Sequence, residues 1–85
     1  MPTRTVVVGS AVGLHARPAA IISEAAGELD SEVLIAIPGD EGVDASSALM
    51  IMTLGATVGT EVTVESDDQA TLDKVVDLVE QDLDA

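Results

Sequence analysis

The spacing of apolar residues changes period along this chain, and a breaker marks each change. From about Ala16, Pro18, Ile21, Ile22, Ala25 and Leu29 recur at threes and fours with Glu24 and Glu28 on the other face, the pattern of an amphipathic helix. Val33, Ile35 and Ile37 then alternate within residues 32–37, as in a half-buried strand, and Pro38-Gly39 stops the run. Val62 and Val64 alternate with Glu61, Thr63 and Glu65, a strand with one wet face. Helical spacing returns in the stripe Leu72, Val75, Val76, Val79 and Leu83, opposite Asp73, Asp77, Glu80 and Asp84. A chain that switches period over such short segments must stack helices on a sheet.

The segments between complete the order. Residues 3–8 are rich in β-branched side chains and read as a first strand, followed by a loop over residues 9–13. Gly27 weakens the end of the first helix and Asp30-Ser31 breaks it. The turn Asp40-Glu41-Gly42 leads to a short strand at Val43. Asp44, Ser46 and Ser47 offer capping side chains ahead of the apolar run Ala48 to Met52, a second helix that ends at Leu54-Gly55. Asp67-Asp68 begins the last helix, its first-turn acids favoured by the helix dipole, whereas the acids near its end read as solvated charge. The order is β-α-β-β-α-β-α in one α+β domain over residues 1–85, with no linker or repeat. Its simplest packing is an antiparallel sheet with all helices on one face.

Charge then narrows the function. Three Lys and Arg face sixteen Asp and Glu, a net charge of −13. Nucleic acids and anionic membranes both require clusters of basic residues, so neither is an expected partner. The absence of cysteine excludes disulfides, thiolate nucleophiles and cysteine-based zinc sites, and one histidine cannot build a histidine-rich metal site. No signal-like segment and no run of eighteen apolar residues occurs, which reads as a soluble cytoplasmic chain. The acidity reads as adaptation to molar salt, as in a halophile: at roughly 1 M the Debye length falls to about 3 Å and most self-repulsion is screened.

The chemistry concentrates at His15, the single histidine, in the run Gly13-Leu14-His15-Ala16-Arg17-Pro18-Ala19-Ala20. Neutral imidazole is a nucleophile near pH 7. Placed at or just before the helix N-cap, His15 lies beside backbone N–H groups that have no intrahelical partner. Pro18 removes a donor that would have lacked a partner anyway, which leaves the N–H groups of Ala16 and Arg17 for an anion. Free amides, the helix dipole and the Arg17 guanidinium thus converge on a place suited to a phosphoryl group. In the bland alternative His15 is an ordinary cap residue and Arg17 a solvated side chain. No second acid, base or metal site accompanies the histidine, so a self-contained enzyme is the least supported class.

The run Ala48 to Met52 holds more apolar residues than one face of a short helix can bury. Leu49, Met50 and Met52 therefore divide between the core and an exposed patch beside His15. Methionine suits a surface that must fit several partners in turn.

The unbroken motif G-L-H-A-R-P-A from Gly13 to Ala19 resembles the signature of HPr, the histidine phosphocarrier family of the phosphoenolpyruvate-dependent sugar phosphotransferase system. The resemblance extends over the whole chain, and residues 43–55 look like the segment that carries the family's regulatory serine, which falls on Ser47. It implies an open-faced β-sandwich, a four-stranded antiparallel sheet with three helices on one face. It also implies that His15 accepts a phosphoryl group on Nδ1 from phosphorylated enzyme I and passes it to the A domain of a sugar-specific enzyme II. Arg17 would steady the phosphate, an HPr serine kinase would act on Ser47, and no cofactor or metal is implied on the chain itself. Presenting one histidine to two partners favours a monomer. The alternatives are a regulatory module acting through Ser47, which would be expected to lose the histidine, and a carrier for a dihydroxyacetone or nitrogen-related relay. The chain departs from the family in lacking lysines around the docking surface.

Overall fold

Four strands and three helices follow one another in the order the periodicities require. The computed structural model describes residues 2–11, 13–29 and 31–81. Its elements are β1 (Thr3–Val7), α1 (Ala16–Glu28), β2 (Val33–Ala36), β3 (Val43–Asp44), α2 (Ala48–Met52), β4 (Glu61–Ser66) and α3 (Gln69–Glu80). The strands form one sheet in the order β1-β4-β2-β3, with every pairing antiparallel. The last strand therefore sits between the first and the second, and the sheet cannot close until residue 61 has been reached.

Register decides which side chains meet the helices. Val6 pairs with Val62, and Val64 lies between Arg4 and Ile35, so Val6, Val62, Val64 and Ile35 share one face. Thr3, Thr5, Val7, Glu61, Thr63 and Glu65 alternate onto the other. The first face is buried under the helices with Ile22, Ile51, Leu72, Val75, Val76 and Val79. The core is wholly aliphatic because the chain has no aromatic residue. Each fully buried Val, Leu or Ile contributes about 1.5–3 kcal/mol on burial. The half-exposed Arg4–Asp73 pair (3.1 Å), which ties β1 to α3, contributes about 0–1 kcal/mol. Packing, not charge, holds the sandwich together.

Several expectations shift on inspection. The buried stripe of α1 is Pro18, Ala19, Ile22 and Ala26, while Ile21 and Ala25 are half-buried. Size misdirects the reading here, since small alanines let the helix approach the layer closely and the bulkier Ile21 lies at the margin. β1 ends at Val7, although Val8 is fully buried beyond it. The first turn of α3 holds no acid: Asp68 is its N-cap, accepting from the Ala70 N–H at 3.0 Å, and Asp67 precedes it. The helix-breaking Asp30 and the distal positions Leu83 and Asp84 lie outside the described residues.

The loop after β1 is fastened to the end of α3. The Gly9 N–H donates to the Val79 carbonyl at 3.1 Å and the buried Ser10 hydroxyl to the Gln81 carbonyl at 3.0 Å. These satisfy carbonyls that the last turn of a helix leaves without intrahelical partners. The approach is so close that a Cβ at Gly9 would lie 1.8 Å from the Glu80 carbonyl oxygen. Gly9→Ala is therefore expected to lower stability by about 3 kcal/mol, since backbone must move against backbone. Gly39→Ala, in open space at φ 93°, should cost only about 1–2 kcal/mol, the left-handed penalty. Paired urea melts check the order, and equal losses would contradict the close approach.

Candidate functional site

Between β1 and α1 backbone hydrogen bonds pin the chain at several points. Val8 donates its N–H to the Thr60 carbonyl (2.9 Å), Gly13 donates to the Ser10 carbonyl (2.8 Å), and Leu14 donates to the Ala56 carbonyl (2.9 Å). Gly13 is left-handed at φ 74°, and a Cβ there would stand 2.4 Å from the Ala56 oxygen. Only glycine fits that contact. The Leu14 side chain, 2 % exposed, is sunk in the core, so the next residue must emerge at the surface.

That residue is His15, the N-cap of α1, with extended backbone (φ −121°, ψ 167°) and an exposed side chain. Its carbonyl takes the first helical hydrogen bond, from the Ala19 N–H at 3.3 Å, but its ring makes no capping bond. The imidazole is thus free of structural duty. Ala16 and Arg17 follow as the first helical residues, and their N–H groups are among those a helix start leaves without intrahelical partners. Pro18 is buried and carries no N–H. Arg17 is exposed and makes no ion pair with any described residue, in contrast to Arg4, which is held by Asp73. The structure brings His15, Ala16 and Arg17 together at one solvent-facing helix end.

One feature of this site escaped the sequence reading. Ala16 has φ 28°, the one described non-glycine residue with positive φ. An L-residue held there costs about 1–2 kcal/mol. Strain of this kind persists only where surrounding contacts over-determine it, and the bonds at Gly13, Leu14 and Ala19 are such contacts. Nothing in an alanine after a histidine signals it.

Ser47 is the N-cap of α2, and its hydroxyl accepts from the Met50 N–H at 3.3 Å. The adjacent Ser46 is turned back instead, its N–H and hydroxyl both donating to Asp44 Oδ1 at 2.9 and 2.7 Å. Those two bonds, the hydroxyl's first, hold the Asp44 carboxyl below its ordinary value. Of the expected capping side chains, Ser47 caps the helix and Asp44 shapes the turn before it. The apolar run divides as well. Leu49 is 70 % exposed and Met50 42 %, Ile51 is fully buried, and Met52 is half-buried against the core. Met52 packs against the core cluster, as Ala48 does one turn earlier, while Leu49 and Met50 form the exposed part of the run.

His15 stands on an open surface. A cleft lined by Ala26, Gly27, Leu29, Glu32 and Asp44 lies at the opposite end of α1, about 20 Å away by the rise of a 13-residue helix. Among the described residues no group of three His, Cys, Asp or Glu side chains is placed to hold a metal ion. No described helix is long and apolar enough to cross a membrane.

Four antiparallel strands under three helices, with this histidine loop, define the class: an HPr-type open-faced α+β sandwich. Residues 2–81 match the family described as the PTS HPr component phosphorylation site. The chain is 40% identical over 87 residues to the phosphocarrier protein HPr of Streptomyces coelicolor, covering 99% of this chain and 94% of that one. It is 34% identical over 86 residues to the HPr-like protein Crh of Bacillus subtilis, covering 98% and 100%. The structure of HPr-C-His from Thermoanaerobacter tengcongensis superposes with a TM-score of 0.88 at 30% identity, covering 100% of this chain and 98% of that one. The chain belongs to the PTS HPr family of phosphocarriers.

The strain at Ala16 gives a reversal of sign to look for. Alanine to glycine at exposed Ala20, inside α1, should lower stability by about 1 kcal/mol. Ala16→Gly should be neutral or stabilising by up to about 1 kcal/mol, because relief of the left-handed conformation offsets the entropy of glycine. Chemical denaturation of the two variants reads the difference.

Proposed function

We propose that His15 is the phosphoryl acceptor and that the chain relays the group from phosphorylated enzyme I to the A domain of a sugar-specific enzyme II, in support of sugar uptake. The observation that carries this reading is the exposed imidazole, unused by the cap, beside the first N–H groups of α1. In the first step a bond forms from His15 Nδ1 to phosphorus as the bond to the donor breaks. In the second the same phosphorus is attacked by the enzyme II nucleophile and the ring departs. Between them the phosphate oxygens accept from the Ala16 and Arg17 N–H groups at the positive end of the helix dipole, with the Arg17 guanidinium free to close over them. Phosphoryl transfer needs placement and charge stabilisation more than acid–base chemistry, so partners that dock over His15 can supply the rest. The retention of His15, Arg17 and Pro18 together favours this carrier over a regulatory module acting through Ser47 alone. Ser47 serves the carrier as a regulatory position, open to a serine kinase at the entrance to α2. A monomer presents His15 to each partner in turn.

The test is incubation with enzyme I and phosphoenolpyruvate in molar KCl, followed by intact mass. One acid-labile phosphate, lost in His15→Ala, is expected. A kinase-dependent, acid-stable phosphate on Ser47 with none on His15 would make the chain a regulatory module.

Leu49 and Met50 form the apolar part of the docking face, and with few basic residues in the chain the contact relies on apolar burial. Met50→Glu should slow transfer about tenfold, the loss of about 1.4 kcal/mol of association, and leave the urea midpoint unchanged. Unchanged kinetics would remove Met50 from the interface.

The chain works in a salt-rich cytoplasm. Every described Asp and Glu is exposed except the half-buried Glu65, and Arg4–Asp73 is the single ion pair among the described residues, so repulsion is relieved by screening and not by pairing. The urea midpoint should rise between low and molar KCl. A flat response would contradict the salt adaptation.

A further inference from the structure

Ser10 is a fully buried polar residue that the relay described above does not use. Its hydroxyl donates to the Gln81 carbonyl at 3.0 Å, just past the end of α3. Its own carbonyl accepts from the Gly13 N–H at 2.8 Å and closes the turn two residues before His15. One residue thus holds the last turn of α3 through its side chain and the histidine loop through its backbone. Beside it, Gly9 donates to the Val79 carbonyl, and its Cα is pressed so close to Glu80 that the loop cannot slide along α3. On the other side the loop meets Ala56 through Gly13 and Leu14. The residues that feed His15 into α1 are therefore gripped at both ends, by α3 through Ser10 and by the segment after α2 through Leu14.

We infer that Ser10 is a positioning residue for His15, transmitting the placement of the α3 C-terminus to the phosphate site. This rests on the carrier reading of His15. Phosphoryl transfer requires the attacking nitrogen to be in line with the leaving group, and misplacement of about 1 Å can cost on the order of 100-fold. Ser10 does not touch the reacting group; it sets where the loop delivers the imidazole relative to the Ala16 and Arg17 amides. The strained Ala16 makes that delivery sensitive, because a loosened loop would let φ relax to the ordinary helical region and turn the first N–H groups away.

Ser10→Ala removes the bond to Gln81 while nearly preserving volume. A second variant works from the far end: Gln81→Gly keeps the carbonyl and N–H but frees the backbone of an exposed residue, leaving every atom of the histidine loop in place. The measurement is the rate of phosphoryl transfer from phosphorylated enzyme I as its concentration is varied, with each variant's urea melt beside it. The maximal rate should fall 5- to 20-fold in Ser10→Ala and in the same direction, by less, in Gln81→Gly. The half-saturating concentration should stay at the wild-type value, since Leu49 and Met50 are untouched. A purely structural Ser10 would lower the urea midpoint and leave the maximal rate alone, which would overturn the inference. A raised half-saturating concentration at constant maximal rate would also overturn it, by assigning Ser10 to docking. Wild-type protein that takes no label at all would remove the carrier reading, and this inference with it.

Discussion

The backbone bond from the Leu14 N–H to the Ala56 carbonyl is the contact on which the site depends. It is reachable only because Gly13, left-handed and without a Cβ, lets one chain lie directly against another. Once it forms, the Leu14 side chain is committed to the core, the direction of the chain is set, and α1 must begin at the next residue with its imidazole outside. The core and the site are consequences of one approach of two loops. Position 15 cannot be moved without either breaking this bond or unburying Leu14.

Around it the molecule balances an aliphatic core against a large negative charge. No aromatic ring contributes, so cohesion comes from many Val, Ile, Leu and Ala contacts of modest individual worth. A charge of −13 on a body with a radius of gyration of 10.9 Å opposes that cohesion, and one half-exposed ion pair does little against it. Despite that excess of carboxylates, Arg17 is exposed and makes no ion pair among the described residues.

Much of this could be read from the residues. Alternation of Val62 and Val64 with Glu61 and Thr63 gave β4 and its wet face, and the spacing of Leu72, Val75, Val76 and Val79 gave the buried side of α3, because period maps directly onto a face. Gly13 to Pro18 gave the helix start and His15 as its cap, since capping and proline placement are local rules. The stripe of α1 was less legible, as Ala19 and Ala26 are buried by close helix packing that only the tertiary fold supplies. Pairing of β1 with β4 joins residues about sixty positions apart, and no local signal encodes it. For the same reason the Ser10 bond to Gln81, the contact of Gly13 with Ala56 and the positive φ of Ala16 were invisible until the chain was assembled.

The central claim is that the phosphoryl group on His15 is received by the first N–H groups of α1. Amide NMR of the 15N-labelled protein before and after phosphorylation tests it most directly. The Ala16 and Arg17 amide protons should move strongly downfield as they bond the phosphate, and the ring nitrogens should show phosphorus attached at Nδ1. Phosphorylation of His15 that left those two amides unmoved would contradict the account, since the phosphate would then be held by something other than the start of this helix.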